Sequence, residues 1–335
     1  MNRAWAVLSI LALVILTGVW SPVLAQGTTL TVYSGRTREL VAPILEQFTR
    51  ATGIAVGVRY GATAEMAATI MEEGTNSPAD VYFAQDAGAL GALAFAGRLR
   101  RLPDAMLQRV EPRFRSGDGV WVGISGRARV VVYNTRNVAV RDLPASIAEF
   151  TNPRWRGRIG WAPTNGSLQA QVTAMRLLWG DDRTRQWLLG IKANAPRVYR
   201  DNTAIVAAVG AGEIDVGFVN HYYLFQFLRE RGPSFPARNY FFPGPDIGNL
   251  INVAGVGIVN TSRNAAAAQR LVEFLLSPDA QRYFANETFE YPLVRGIPAN
   301  PQLPPLSQIR TPNVDLNHLQ ALEGTLKLLQ EVGIL

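Results

Sequence analysis

The chain of 335 residues contains no cysteine. That removes disulfides, thiolate metal sites and cysteine nucleophiles at once, and leaves stability to burial and hydrogen bonding. Histidine is almost as scarce: His221 and His318 are too few for a histidine-rich zinc centre, and give a Ser-His-Asp triad little material. Lysine is confined to Lys192 and Lys327, so the net charge of +7 is carried almost wholly by arginine. Those arginines are scattered, without a basic helix or an aromatic-interleaved patch, and no nucleic-acid partner is expected. An anionic ligand is compatible with the same balance. Fixed-period repeats and low-complexity tracts are lacking too.

What is present begins with Met1-Asn2-Arg3 and an apolar run from Ala4 to Val19, short for a membrane span. Ser21-Pro22-Val23-Leu24-Ala25 ends in the small-residue pattern of a cleaved signal peptide, so residues 1–25 are expected to be removed and a periplasmic chain to start at Gln26. Lipid attachment at that site would need a cysteine. A remainder of roughly 310 residues tends to split into two lobes.

Leu30–Ser34, Ile54–Tyr60 and Asp80–Ala84 read as strands, each followed by a turn and an apolar-faced helix. Three such units in series predict right-handed crossovers and a mostly parallel sheet, with every post-strand turn on one rim. The apolar strand Val130–Tyr133 and the long apolar stretch Ile251–Val259 suit two crossings between lobes. Units at Arg158–Leu178, Arg197–Gly210 and Gly212–Leu228 build a second sheet.

In the last unit, Ile214, Val216, Phe218 and Val219 form a strand that runs into Asn220-His221-Tyr222-Tyr223 and then a helix. Tyr222 and Tyr223 therefore stand at the carboxyl end of a strand, where open α/β sheets bind ligands. Paired phenols there can act as hard oxygen donors suited to Fe(III). With a free tyrosine pKa of about 10, only a highly charged cation would keep both ionised at neutral pH. Adjacent aromatic residues are more often core packing.

Several phrases are quoted together: Leu-Thr-Val-Tyr-Ser-Gly-Arg at Leu30–Arg36, Ser-Pro-Ala-Asp-Val at Ser77–Val81, and Ser-Gly-Arg-Ala-Arg-Val-Val-Val-Tyr at Ser125–Tyr133. Asn-Pro-Arg-Trp-Arg-Gly-Arg-Ile-Gly at Asn152–Gly160, Gly212–Asp215 with the tyrosine pair, and Glu-Tyr-Pro-Leu-Val at Glu290–Val294 complete the set. Dense and collinear, they resemble the ferric-ion-binding periplasmic proteins, soluble receptors of bacterial iron ABC importers within the class II periplasmic binding proteins. The resemblance covers essentially the whole mature chain. It implies an α/β two-lobe fold, each lobe a mostly parallel sheet with flanking helices, hinged at two crossing strands. Residues 26–127 and 252–302 would form the first lobe and residues 128–251 and 303–335 the second. It also implies Fe(III) as cargo, a carbonate or bicarbonate (or phosphate) synergistic anion, an ABC permease as partner, a monomer, and no enzymatic activity.

In that family a His and a Glu from the first lobe and two tyrosines from the second bind the metal, with an anion at a helix start. Tyr222 and Tyr223 match the pair, but Thr37 stands in place of the His and Gln85 in place of the Glu. Leu168 stands where another branch has a third tyrosine. The resemblance implies an anion-holding role for Arg36 after Ser34-Gly35, where an arginine fork suits a planar oxyanion. It places Asn165, Gly166 and Ser167 on the anion loop, Asn202 and Asn220 among the hydrogen-bonding asparagines, and Arg127 beside the tyrosines. Tyr60, ending a strand just before Gly61, is the candidate for a third phenolate, with core or rim packing as the alternative. Tyr33 is a weaker candidate. His221 is expected to point away from the pair as a structural residue. Two other readings are open: a class II receptor for an organic or oxyanion solute such as a phosphonate or thiamine, and a secreted hydrolase, for which Glu213 and Asp215 offer only ordinary alternating positions.

Overall fold

The computed structural model describes residues 29–335, so the expected signal peptide lies outside the described residues. The first units are β1 (Thr29–Ser34), α1 (Arg38–Thr52), β2 (Ala55–Tyr60), α2 (Thr63–Glu73), β3 (Val81–Ala84) and α3 (Ala87–Phe95), followed by the short α4 (Asp104–Leu107) and the long β4 (Trp121–Asn134). Then come β5 (Ile159–Trp161), α5 (Gly166–Trp179), α6 (Asp181–Ala193), β6 (Arg197–Val198), α7 (Asn202–Ala211), β7 (Val216–Asn220), α8 (Tyr223–Arg231) and β8 (Ala237–Tyr240). The chain ends with β9 (Ile251–Ile258), α9 (Ala265–Leu275), α10 (Pro278–Asn286), β10 (Tyr291–Pro292) and α11 (Leu322–Glu331).

The strand order is β2-β1-β3-β9-β4-β7-β5-β6. β1 pairs in parallel with β2 and β3, and β5 in parallel with β6 and β7, as serial crossovers require. Antiparallel pairing enters through β4 and β9. The two sheets share β4: it pairs with β9 through Ala128, then with β7 from Arg129 onward. The class II two-lobe architecture expected from the sequence is the observed one, and the strand that crosses between lobes carries Arg127 and Arg129 at its crossing point.

Burial explains why β4 and β9 read as near-continuous apolar runs: every residue of both is buried, between helices on either face. Helix starts are fixed by short polar side chains. Asp86 Oδ1 accepts from the Ala89 amide, Asn165 Oδ1 from Ser167, and Asp201 Oδ1 from Ala204. Gly35 lets the first two units close up, because a Cβ there would fall 2.4 Å from Thr63 Oγ1. Beyond Pro312 the chain rests on both lobes. The Leu319 carbonyl oxygen lies where a Cβ on Gly88 of α3 would be 2.7 Å away, while Thr325 of α11 meets Thr173 of α5 with hydroxyls 2.7 Å apart.

Candidate metal and anion site

The carboxyl ends of β1, β2, β3 and β5 and the starts of α1, α2, α3 and α5 converge on one cavity of about 310 Å³ between the lobes. Thr37, Gly61, Thr63, Gln85 and Asp86 line it from the first lobe; Asn165, Gly166, Ser167, Arg200 and Tyr223 face them. Helix N-termini present free amides and the positive end of the helix dipole, so their convergence favours anions.

Tyr222 sits at the N-cap of α8 and is fully buried, while Tyr223 is half-buried and opens onto the cavity. Their rings stack with centroids 4.3 Å apart. Gln85 donates from Nε2 to the Tyr222 hydroxyl at 2.9 Å, a hydrogen bond that joins the lobes. Burial first, then the neighbouring Tyr223 and Glu290, push the Tyr222 phenol well above its ordinary value. In the unliganded chain it is therefore a neutral hydroxyl, and ionisation needs a nearby cation.

Around the pair lie three buried guanidiniums. Arg129 donates to Gln171 Oε1 and to Asn220 Oδ1, and Asn220 Nδ2 donates on to Ser167 Oγ at 3.0 Å. Burial and the neighbouring Arg127 bring the Arg129 pKa down to about 9. Arg127 is 1 % exposed, and none of its three nitrogens has a hydrogen-bond partner among the described residues. Burial lowers its pKa, against the attraction of Tyr222 and Asp86. Leaving a buried guanidinium unpartnered is expensive, so such a group marks a place for an anion.

Arg36 is different. Its Nη2 donates to Glu290 Oε2 at 2.6 Å and its Nη1 to Ser125 Oγ at 3.0 Å, leaving only Nε without a partner. Ser34 braces its backbone, accepting from the Arg36 amide at 3.1 Å. The fork the sequence suggested for a planar oxyanion thus faces a carboxylate of the protein itself. Burial works against the Arg36 charge, and Glu290 together with the two tyrosines more than compensates, raising its pKa.

Tyr60 does not reach the cavity. It is half-buried in a separate groove beside Arg38, Leu45, Thr49 and Val58, with the Arg38 guanidinium 5.1 Å from its ring centre. The alternation of β2 turns its side chain to that groove while Gly61 turns to the cleft. Tyr33 is also engaged elsewhere, donating to Glu73 at 2.8 Å. Asn202 is buried at the start of α7 with Nδ2 unpartnered.

Sequence reasoning passed over Asp86, Arg129, Arg200 and Glu290. Asp86 is a buried carboxyl on the cavity wall whose Oδ2 lies 3.4 Å from where a Cβ on Gly166 would stand; burial raises its pKa. Its signal was its place beside Gln85. Arg129 and Glu290 lay inside phrases already singled out, but nothing in their spacing told which way they point.

His221 is fully buried, accepting from the Ala128 amide at Nδ1 and meeting the Phe289 carbonyl at Nε2, 2.7 Å away. Burial lowers its pKa from 6.5 to about 4. The unfolded imidazole binds its proton near pH 6.5 and the folded one only near 4, so stability falls as pH drops through that window. Urea unfolding of the unliganded chain is expected to show His221 contributing a loss of about 3 kcal/mol across it, absent in His221→Gln.

Among the described residues, no group of three His, Asp or Glu side chains is placed to hold a metal. Oxygen donors here are the two phenols, hydroxyls, the Asp86 carboxyl, the Gln85 amide oxygen, and whatever anion the guanidiniums attract.

The family described as bacterial extracellular solute-binding protein matches residues 64–316. The major ferric iron-binding protein of Neisseria meningitidis is 35% identical over 322 residues, covering 94% of this chain and 95% of its own. Iron-bound HitA from Pseudomonas aeruginosa superposes with a TM-score of 0.88 at 35% identity, covering 91% of this chain and 99% of HitA. The Trichodesmium protein IdiA, also called FutA, solved with iron and citrate, gives 0.80 at 28% identity over 92% and 100% of the two chains.

Proposed function

We propose that this chain, which belongs to the bacterial extracellular solute-binding protein family and to its ferric-ion-binding branch, is a periplasmic receptor that takes Fe(III) with a synergistic anion between its lobes and passes it to an ABC permease. It is read as a binding protein, not an enzyme, in line with its relatives.

The observation that carries the reading is the buried, unpartnered Arg127 behind the stacked Tyr222 and Tyr223. Two phenols become phenolates only beside strong positive charge, which a trivalent ion supplies and Arg127 supports. Around the cleft, three buried guanidiniums (Arg36, Arg127, Arg129) stand against two buried carboxyls, Asp86 and Glu290, the buried Asp80 being engaged elsewhere by Thr31 and Ser262. That leaves one positive charge before loading, and a ferric ion with two phenolates adds another. A dianion such as carbonate or hydrogen phosphate would return the buried set to neutrality. Thr37 and Gln85 supply no charge, so among the described residues of the first lobe only the Asp86 carboxyl faces the cavity, and the positions at Thr37 and Gln85 are left to exogenous oxygen. The anion would lie on the Asn165-Gly166-Ser167 start of α5, within reach of helix amides.

Dialysis of the mature chain against ferric nitrilotriacetate, with and without bicarbonate, tests this. One iron per chain is expected, bound more tightly when bicarbonate is present. Arg127→Gln should flatten the bicarbonate dependence and weaken iron binding by on the order of 10–100-fold, the range for residues that support metal ligands. A chain that ignores iron but melts higher with a phosphonate or thiamine would sink the reading.

A further inference from the structure

Glu290 enters the reading above only as a buried charge, with no role at the ligand. It is completely buried, held by Arg36 Nη2 at 2.6 Å, by Ser125 Oγ at 3.1 Å and by Thr288 Oγ1 at 2.9 Å. The preceding residue, Phe289, has φ of 55°, a left-handed conformation that is uncommon for a bulky side chain. Its carbonyl takes the His221 contact, and the following Tyr291 ring lies 4.9 Å from the His221 ring. The tripeptide Phe289–Tyr291 therefore buttresses the residue next to Tyr222 while aiming a carboxylate at Arg36. Arg36 is close enough to both tyrosines to be coupled to them electrostatically, and the next residue, Thr37, lines the cavity.

We propose that Glu290 is a positioning residue that sets the anion preference of the cleft: by occupying the Arg36 fork it withholds one guanidinium from the ligand and leaves the anion to Arg127. This rests on the reading of the cleft as an anion-assisted iron site. An arginine already engaged by a buried carboxylate on one side and a hydroxyl on the other cannot present two parallel N–H donors to an exogenous oxyanion. Released, it could, because its Nε has no partner to lose.

Glu290→Gln keeps the side chain's shape and removes its charge. Calorimetric titration of the unliganded protein with inorganic phosphate should show binding about tenfold tighter than the parent, or about 1.4 kcal/mol. The double variant R36M/E290Q should return to the parental affinity, since the gain belongs to the freed guanidinium. Ser125→Ala, a milder change that frees Nη1 and removes one of the hydroxyls holding Glu290, should give roughly a threefold gain, and it reads the same question should Glu290→Gln fail to fold. Unchanged phosphate affinity in a folded Glu290→Gln or Ser125→Ala overturns the proposal, as does a gain that survives in R36M/E290Q, which would make it a general charge effect. The iron reading fails separately: the parent would then show no iron-dependent absorbance, while the phosphate titrations would still return their answer.

Discussion

Tyr222→Phe and Tyr223→Phe are each expected to lower Fe(III) affinity by at least on the order of 100-fold, more than is typical for residues that only support ligands. Either change removes a phenolate donor, and Gln85, the hydrogen-bond partner of the Tyr222 hydroxyl, is a neutral amide. Packing is hardly touched, because the stacked rings remain. Losing the Tyr222 hydroxyl removes one hydrogen bond across the lobes, worth about 1 kcal/mol. Both variants should therefore fold with nearly parental melting temperatures while competitive titration against nitrilotriacetate shows the loss. If either retains parental affinity, that phenol is not a ligand.

Arg36→Gln carries the other large effect, and it falls on the fold. The substitution would leave Glu290 buried at 0 % exposure with its cationic partner gone. Breaking a buried ion pair from one side destabilises by about 3–5 kcal/mol, because the remaining charge stays desolvated. Urea unfolding of the unliganded protein should show that loss. Arg36→Lys should recover only part of it, since a point charge cannot reproduce the contacts of one guanidinium to both Glu290 and Ser125. A parental unfolding midpoint for Arg36→Gln would mean that the pair contributes nothing net.

Those two expectations mark where the sequence was legible. Strand ends, helix starts and the crossing strands follow from local rules, the period-two and 3.6-residue patterns; the caps at Asp86, Asn165 and Asp201 are what the structure adds. Those patterns put Tyr222 and Tyr223 at the carboxyl end of a strand, while the Asn165–Ser167 loop was placed by the resemblance. Arg36 was placed in the right neighbourhood, but its partner was not, since Glu290 is 254 residues away along the chain and no periodicity links them. Tyr60 failed on the smallest unit of register: the next residue, Gly61, lines the cleft, while the Tyr60 side chain faces the groove beside α1. Arg127 was placed beside the tyrosines by the resemblance alone. Only burial reveals that it lacks a partner.

The visible spectrum of the mature protein during addition of Fe(III) with bicarbonate tests the central claim most directly. Two tyrosinates on a ferric ion should produce an orange-to-purple charge-transfer band that saturates at one iron per chain. The band should fade as the pH is lowered, because the Tyr222 phenol, held neutral by burial, must release its proton to bind. A protein that stays colourless at every iron concentration, with an unchanged melting temperature, would contradict the account.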